Sequence, residues 1–324
     1  MGSLQVRARV ERFALAEAFT IARGPKRHVD VVACEVRDGG LAGRGEGTPI
    51  YYRGENAADC VAAIARWAAS GVHDDRARLL AELPAGAARN ALDCALWDLA
   101  AQRAGVPLWR VVGLAEPAPV ETAFTISLDR PAAMAAAARV AAARGFTLLK
   151  AKLGGDGDDP ARIAAVRAGA PGARLVADAN ESWGGRDVAS EARALVPFGV
   201  ELIEQPLPAA ADSPLAGLDP AVPLCADESC HTLADLARVS GRYQAINVKL
   251  DKAGGLTAAL ALTHAARAEG LAVLLGCMLA TSRAIRFALP LAGFARWVDL
   301  DGPALLAADR PGGLRYEGGR IFPD

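Results

Sequence analysis

Eight short β-rich runs follow one another between Glu121 and Asp301: ETAFTIS, LLKAKL, ARLVADAN, ELIEQP, PLCADES, AINVKL, AVLLGCM and RWVDLD. Ala-, Leu- and Arg-rich stretches of helical period separate them. The spacing is that of one βα unit. Eight such units predict a parallel (β/α)8-type barrel. Counting repeats does not show closure, so an open doubly wound sheet is the alternative. Two further observations bear on the choice. Polar residues gather at the C-terminal end of almost every run: Lys150 and Lys152, Asp178 and Asn180, Glu204, Asp227 and Glu228, Lys249 and Asp251, Asp299 and Asp301. In a barrel these ends form the active-site face. No glycine-rich phosphate loop follows the early runs, which argues against a dinucleotide-binding fold.

The chain before the runs reads differently. Residues 4–50 alternate as strands and turns, and residues 57–114 carry helical periodicity that ends near Gly105 and Pro107. We therefore expect an α+β domain over residues 1–115 and a barrel over 116–302. The length of 324 residues suits two domains. Hydrophobic residues make up 52%, charged residues 23%, and the net charge is -1, an ordinary soluble balance. Nothing in it suggests a nucleic-acid or anionic-membrane partner. The N-terminus alternates charged and apolar residues, unlike a signal peptide, and no apolar run reaches the roughly 18 residues of a membrane span. Cys34, Cys60, Cys94, Cys225, Cys230 and Cys277 form no C-x-x-C pair. That usage suits reduced thiols and a cytoplasmic location.

Lys150 and Lys152 pose a problem. On a strand, i and i+2 share a face, so two ammonium groups would point together into apolar surroundings. Three acids follow on three successive strand ends: Asp178, Glu204 and Asp227. Converging carboxylates repel unless a cation neutralises them, and a hard divalent ion, Mg²⁺ or alternatively Mn²⁺, suits oxygen donors. Single acids at strand ends can instead cap the following helices. Lys249 lies after the acids, on the sixth run, across a barrel mouth from the second. Opposed lysines around a cation could take and return one proton. A bound metal and the neighbouring ammonium groups would lower a lysine pKa from about 10.4 toward about 7–8. The bland alternative is that each lysine reaches from the rim to solvent.

The set KAK, DAN, EQP, ADES and NVKLDKAGG resembles the enolase superfamily in its muconate-lactonizing branch, over nearly the whole chain. ARNALDCALWDLAAQRAG looks like a helix of that family's capping domain. The resemblance implies a modified (β/α)7β barrel under an N-terminal α+β cap, with residues 303–324 packing back on the cap. It implies Asp178, Glu204 and Asp227 as metal ligands, Lys152 and Lys249 as the acid/base pair, and Lys150 as a holder of the substrate carboxylate. The mandelate-racemase branch uses a His–Asp pair, and the seventh run here, ending LLGCMLATS, has no histidine. Asp299 and Asp301 in WVDLDGP resemble the D-x-D signature of the superfamily's dipeptide epimerases, where the pair holds the substrate α-ammonium. Two carboxylates favour a cation, although a D-G turn with an N-capping Asp is the structural alternative. The implied reaction is two-base 1,1-proton transfer through a Mg²⁺-stabilised enediolate at the C-terminal residue of a dipeptide such as L-Ala-L-Glu, in murein peptide metabolism. Other members of the branch, o-succinylbenzoate synthase and N-acylamino acid racemase, act on substrates without an ammonium group. A barrel that only binds peptides would not need opposed bases.

The cap should complete the pocket with FTIARG (Phe19 to Gly24) and YYRGE (Tyr51 to Glu55). Arg23 is the candidate reader of a glutamate side chain, with Arg53 as its rival. Thr125 and, within GCMLATSRAI, Met278 are further candidates for substrate contact. His28, His73, His231 and His264 show no catalytic spacing and read as structural or surface. Barrels of this kind are often symmetric oligomers, so a homo-oligomer is admitted, although no interface shows in the sequence.

Overall fold

The structure, a computed structural model, describes residues 4–71 and 75–323. His73 lies outside the described residues. The N-terminal part is a three-stranded antiparallel sheet, β1 (Gln5–Ile21), β2 (Gly24–Asp38) and β3 (Leu41–Gly47), in that order. Helices α1 (Ala57–Ala69), α2 (Arg76–Glu82) and α3 (Ala87–Ala104) cover one face. α1 starts where the Asn56 side chain accepts the Asp59 N–H, and α2 where Asp75 accepts that of Arg78. Alternation along β2 sends Val32, Cys34 and Val36 into the core with Ile64, Leu92 and Leu96.

β3 packs on α3 at backbone distance. A Cβ added at Gly43, Gly45 or Gly47 would lie 2.1, 2.0 or 2.2 Å from the carbonyl oxygens of Ala95, Ala91 and Ala87. The glycines recur every second residue and the alanines every fourth. Two strand residues rise about 6.7 Å and four helix residues about 6 Å, so the two repeats stay in step. Glu46 points the other way, is fully buried, and reaches the barrel. Its carboxylate accepts the Thr281 N–H at 2.8 Å and hydroxyl at 2.5 Å, and pairs with Arg310 at 2.7 Å.

A short strand, β4 (Val120–Glu121), precedes the barrel strands β5 (Phe124–Ile126), β6 (Leu148–Lys152), β7 (Arg174–Asp178), β8 (Val200–Glu204), β9 (Leu224–Ala226), β10 (Ala245–Val248), β11 (Ala272–Gly276) and β12 (Trp297–Asp299). β5 to β12 pair in sequence order, and every pairing is parallel. Ala123 N donates to Val298 O at 2.8 Å, and Leu300 N to Thr122 Oγ1 at 2.9 Å, which brings the first and last strands together. The sheet is therefore a nearly closed barrel and not the open alternative.

The period of two explains where the charged residues stand. Leu148, Val176, Leu202, Cys225, Ala245, Leu274 and Trp297 belong to one buried cluster inside the barrel. Two residues further along the same strands, on the same face, come Lys150, Asp178, Glu204, Asp227, Asn247, Gly276 and Asp299. The apolar layer plugs the base, and the polar layer stands on it. The alternate residues, among them Leu149, Ala151, Leu175, Ala177 and Ile203, join the outer core against the helices.

Residues 303–324 do not pack on the cap as one piece. Leu306 bridges Leu15, Ala307 N donates to Ala14 O, and Arg310 binds Glu46 and Glu11. Beyond Gly312 the chain leaves the cap. β13 (Arg315–Glu317) and β14 (Arg320–Phe322) form a hairpin that pairs with β4. Ile321, fully buried, packs there with the outer core of the barrel.

Candidate active site

One cavity opens at the C-terminal ends of the barrel strands, with the cap as its roof. Lys150, Lys152, Lys249, Asp227, Asp299 and Asp301 line its floor and walls. Thr125 and Met278 also line it. Phe19, Ile21 and Arg23 from the β1–β2 hairpin and Tyr51 and Tyr52 from the next loop close it from above, so both expected lid segments reach the cavity. Arg23 is in the wall, whereas Arg53 is exposed and is not among the lining residues.

The lysines do not reach solvent. Side-chain exposure is 3% for Lys150, 8% for Lys152 and 9% for Lys249. Each is held by carboxylates. Lys150 Nζ lies 2.6 Å from Glu204, 2.8 Å from Asp299 and 3.1 Å from Asp178. Lys152 Nζ donates to Asp178 Oδ2 at 2.6 Å, and Lys249 Nζ to Asp227 Oδ2 at 2.8 Å. The like charges of the KAK motif thus coexist because they share Asp178.

With these carboxylates uncompensated by a cation, the balance of charge favours protonated lysines. Burial opposes the charge on Lys150, but Asp299, Glu204 and Asp178 outweigh it and hold its pKa above the ordinary range. Burial is outweighed likewise at Lys249 by Asp227 and Glu204, again raising the pKa. Asp178 is held below the ordinary carboxylate range, because Lys152 and Lys150 overcome its burial. Glu204 goes up to about 7, through burial and then the charge of Asp178.

None of the three acids caps a helix. Asp178 Oδ1 accepts the Asn180 N–H at 2.9 Å, in a turn where Asn180 and Glu181 take left-handed φ of 43° and 69°. As placed, no three His, Cys, Asp or Glu side chains form a ready metal cage among the described residues. The donor chemistry nevertheless fits a hard cation. Glu204 Oε2, Asp227 Oδ1 and Asn180 Oδ1 are buried oxygens that accept no hydrogen bond, although the first two touch lysines.

The D-x-D pair is buried, each residue 4% exposed. Asp299 Oδ2 accepts from Lys150, while Oδ1 accepts nothing. Asp301 stands before the short helix Gly302–Leu305 but its side chain makes no cap bond. It accepts the Thr125 N–H at 2.7 Å instead, so Thr125 orients Asp301 as well as lining the cavity. Burial and then Asp299 push Asp301 up to about 7.

Several supporting residues escape a local reading of the sequence. Gln205, at φ 38°, accepts the N–H groups of Asp227 and Ser229 and so fixes the Asp227 loop. Asn247 donates to Glu204 at 2.7 Å, and Gly276 leaves room for it, since a Cβ there would lie 2.4 Å from Asn247 Oδ1. Lys252 donates to the main-chain oxygens of Asp227 and Cys230 beneath the cavity. Their partners lie on neighbouring strands, where no local motif announces them. Asp251 turns away from the mouth to bind Thr48 N and Asn90 of the cap. Gly254 and Gly255 face Arg89 and Asp93, so DKAGG shapes the cap–barrel contact rather than the pocket. His231 is buried against Tyr52 and held neutral by its burial; His28 and His264 are exposed.

A capped parallel barrel with ion-paired lysines and acids buried at its mouth defines an enzyme of the barrel class. The chain belongs to the mandelate racemase/muconate-lactonizing group of the enolase superfamily. Residues 3–113 match the mandelate racemase/muconate lactonizing enzyme N-terminal domain, and residues 132–324 the enolase C-terminal domain-like family. It is 44% identical to the L-Ala-D/L-Glu epimerase of Escherichia coli over 96% of this chain and 97% of that one. It is 45% identical to an N-acetyl-D-glutamate racemase of Pseudoalteromonas over 76% of each. Among solved structures, an Agrobacterium tumefaciens enolase-family member with bound sodium and L-Ala-L-Glu superposes with a TM-score of 0.94, at 44% identity, covering 99% of this chain and 98% of that one. A dipeptide epimerase from Enterococcus faecalis, complexed with Mg and L-Leu-L-Tyr, gives 0.92 at 30% identity over 100% and 98%.

Proposed function

We propose that this chain is a dipeptide epimerase that inverts the α-carbon of the C-terminal residue of L-Ala-L-Glu or a close relative, in the turnover of murein peptides. The observation that carries the reading is one cavity holding lysines on opposed strands, each against its own acid, beside a buried acid pair with a free oxygen. One lysine, Lys152 or Lys249 according to the configuration of the substrate, removes the α-proton in its neutral form. The electron pair moves into the adjacent carboxylate. The other lysine, protonated, delivers its proton to the opposite face, and the centre is inverted. Lys150 holds the substrate carboxylate. Asp299 and Asp301 receive the α-ammonium of the N-terminal residue, and Met278 forms part of the pocket wall.

Asp178, Glu204 and Asp227 would hold a divalent cation, Mg²⁺ by analogy with the Enterococcus complex and Mn²⁺ by chemistry. Such an ion supplies positive charge where the substrate carboxylate gains electron density. Carboxylates engaged by a cation would press less on Lys150 and Lys249, whose pKa values they otherwise hold above the ordinary range.

The similarity to the N-acetyl-glutamate racemase favours a second reading, N-acylamino acid racemization. That substrate has an amide where the dipeptide carries an ammonium, and two buried acids disfavour it. Paired kinetics on L-Ala-L-Glu and N-acetyl-L-glutamate decide. A kcat/KM at least tenfold higher for the dipeptide supports the first reading; the reverse order supports the second.

A further inference from the structure

Outside the cavity a chain of hydrogen bonds runs from a buried carboxylate to the main chain of Asp227. It starts at Asp212, between the turns Ala209–Ala211 and Ser213–Leu215. Asp212 is buried and is not among the residues that line the cavity. Its Oδ1 pairs with Arg242. Its Oδ2 accepts the Ser229 hydroxyl at 2.6 Å and the Tyr243 hydroxyl at 3.0 Å, and lies 3.5 Å from Arg238. The same two hydroxyls accept from the Gln205 amide nitrogen at 2.7 and 3.1 Å. The Gln205 amide oxygen accepts the N–H groups of Asp227 and Ser229 at 2.8 and 3.0 Å. Gln205, Ser229 and Tyr243 are buried too, so each donor and acceptor needs its partner within the chain.

Every link has a direction. A carboxylate offers only acceptors. Asp212, held against two guanidinium groups, therefore takes both hydroxyl hydrogens. Burial, with Asp212 beside it, pushes the Tyr243 pKa up, so that hydroxyl keeps its hydrogen to give. The hydroxyl lone pairs are left facing Gln205, and only the NH2 end of its amide suits them. The oxygen end then meets Asp227 and Ser229, whose main-chain N–H groups can only donate. An amide at position 212 breaks this order. Its NH2 must face either Arg242, donor against donor, or the two hydroxyls. The second choice turns at least one hydroxyl hydrogen toward the Gln205 NH2.

We infer that Asp212 is a positioning residue for the cation site. Through Ser229 and Tyr243 it sets the orientation of the Gln205 amide, and so holds the Asp227 main chain where its carboxylate can act with Asp178 and Glu204. The inference rests on the proposed divalent cation, not on the identity of the dipeptide.

The test is calorimetric titration with Mg²⁺, beside urea unfolding, in the wild type, Asp212→Asn and Leu215→Ala. Leu215 is buried in the turn after Asp212, and its side chain takes no part in the chain of hydrogen bonds. We expect Asp212→Asn to raise the Mg²⁺ Kd about tenfold or more, the scale of lost support behind a metal ligand. Exchange of the L-Ala-L-Glu α-proton in D₂O should fall at limiting Mg²⁺ and return as Mg²⁺ is raised. Leu215→Ala should lower the unfolding midpoint and leave the Mg²⁺ Kd unchanged. Ser229→Ala, which removes the direct link, should weaken Mg²⁺ in the same direction, and it decides the matter if Asp212→Asn does not fold. An unchanged Mg²⁺ Kd overturns the inference. So does equal weakening in Leu215→Ala, which would mean general loosening. Exchange that stays lost at saturating Mg²⁺ overturns it too, because Asp212 would then act elsewhere. A wild type that takes up no Mg²⁺ overturns it together with the cation site. A wild type that binds Mg²⁺ and shows the Asp212 effect, yet exchanges no α-proton, sinks the epimerase reading and leaves the inference standing.

Discussion

At the scale of single residues the site is a set of ion pairs that are stable because each buried charge has a partner within about 3 Å. Removing one partner strands the other, so alanine variants report both lost chemistry and a disturbed neighbour. The two-base scheme makes a sharper forecast. Lys152→Ala and Lys249→Ala should each lower epimerization by about 10³-fold, the middle of the range for a general acid–base group. Each should still exchange the α-proton of one diastereomer, the one whose face the remaining lysine serves. Full epimerization by either variant would rule the scheme out. The lysines and acids were legible in the sequence because a charge in an apolar run is an anomaly that strand alternation turns into a shared face. Gln205, Asn247 and Lys252 were not. Each is ordinary in its local context and acquires meaning only from a partner on another strand.

At the scale of elements the cap is fitted to the barrel chiefly by α3 and β3. Arg89 donates to the carbonyls of Ala253 and Gly254, Asp93 accepts from Thr257, and Asn90 meets Asp251. On its other side α3 accepts the glycine face of β3. The helix was legible from its period and its Gly105 stop; the glycine repeat reads as turn propensity until the helix opposite it is known. Gly45→Ala places a methyl 2.0 Å from the Ala91 carbonyl oxygen, where backbone must move. We expect a loss of about 2 kcal/mol or more in urea unfolding, against little effect from the same change at the open Gly40. Equal effects at the two positions would contradict the fit. Asp251 gives this junction a pH dependence. Burial, and then Glu46 and Glu55, raise its pKa from 3.8 to about 7. Below pH 3.8 the carboxyl is protonated in both folded and unfolded chains. As pH rises toward 7 the unfolded chain releases the proton and the fold does not, so Asp251 lowers stability across that window. Asp251→Asn keeps an oxygen for Thr48 and Asn90. It should therefore gain stability relative to the wild type between pH 4 and 7, as read by unfolding midpoints. A constant difference across that range would show that Asp251 does not titrate there.

At the scale of the molecule, the barrel contributes the buried charges of the cavity and the cap contributes its roof. The eight β-rich runs and the polar residues at their ends favoured a barrel, but closure itself was legible only in the contacts between the first and last strands. The division of residues 303–324 between cap and barrel was not legible, since a short hairpin carries no sign of which edge it joins. Which acids stand against each lysine was not legible either, because the sequence shows which charges are near in the chain, not which face one another in space. The central claim is that this cavity takes a proton from one face of a dipeptide α-carbon and returns one to the other. The most direct measurement is ¹H NMR of the purified chain with Mg²⁺ and L-Ala-L-Glu in D₂O. The account predicts loss of the glutamyl α-proton signal together with the appearance of the L,D diastereomer. An α-proton signal that persists unchanged, with substrate bound and metal present, would contradict it.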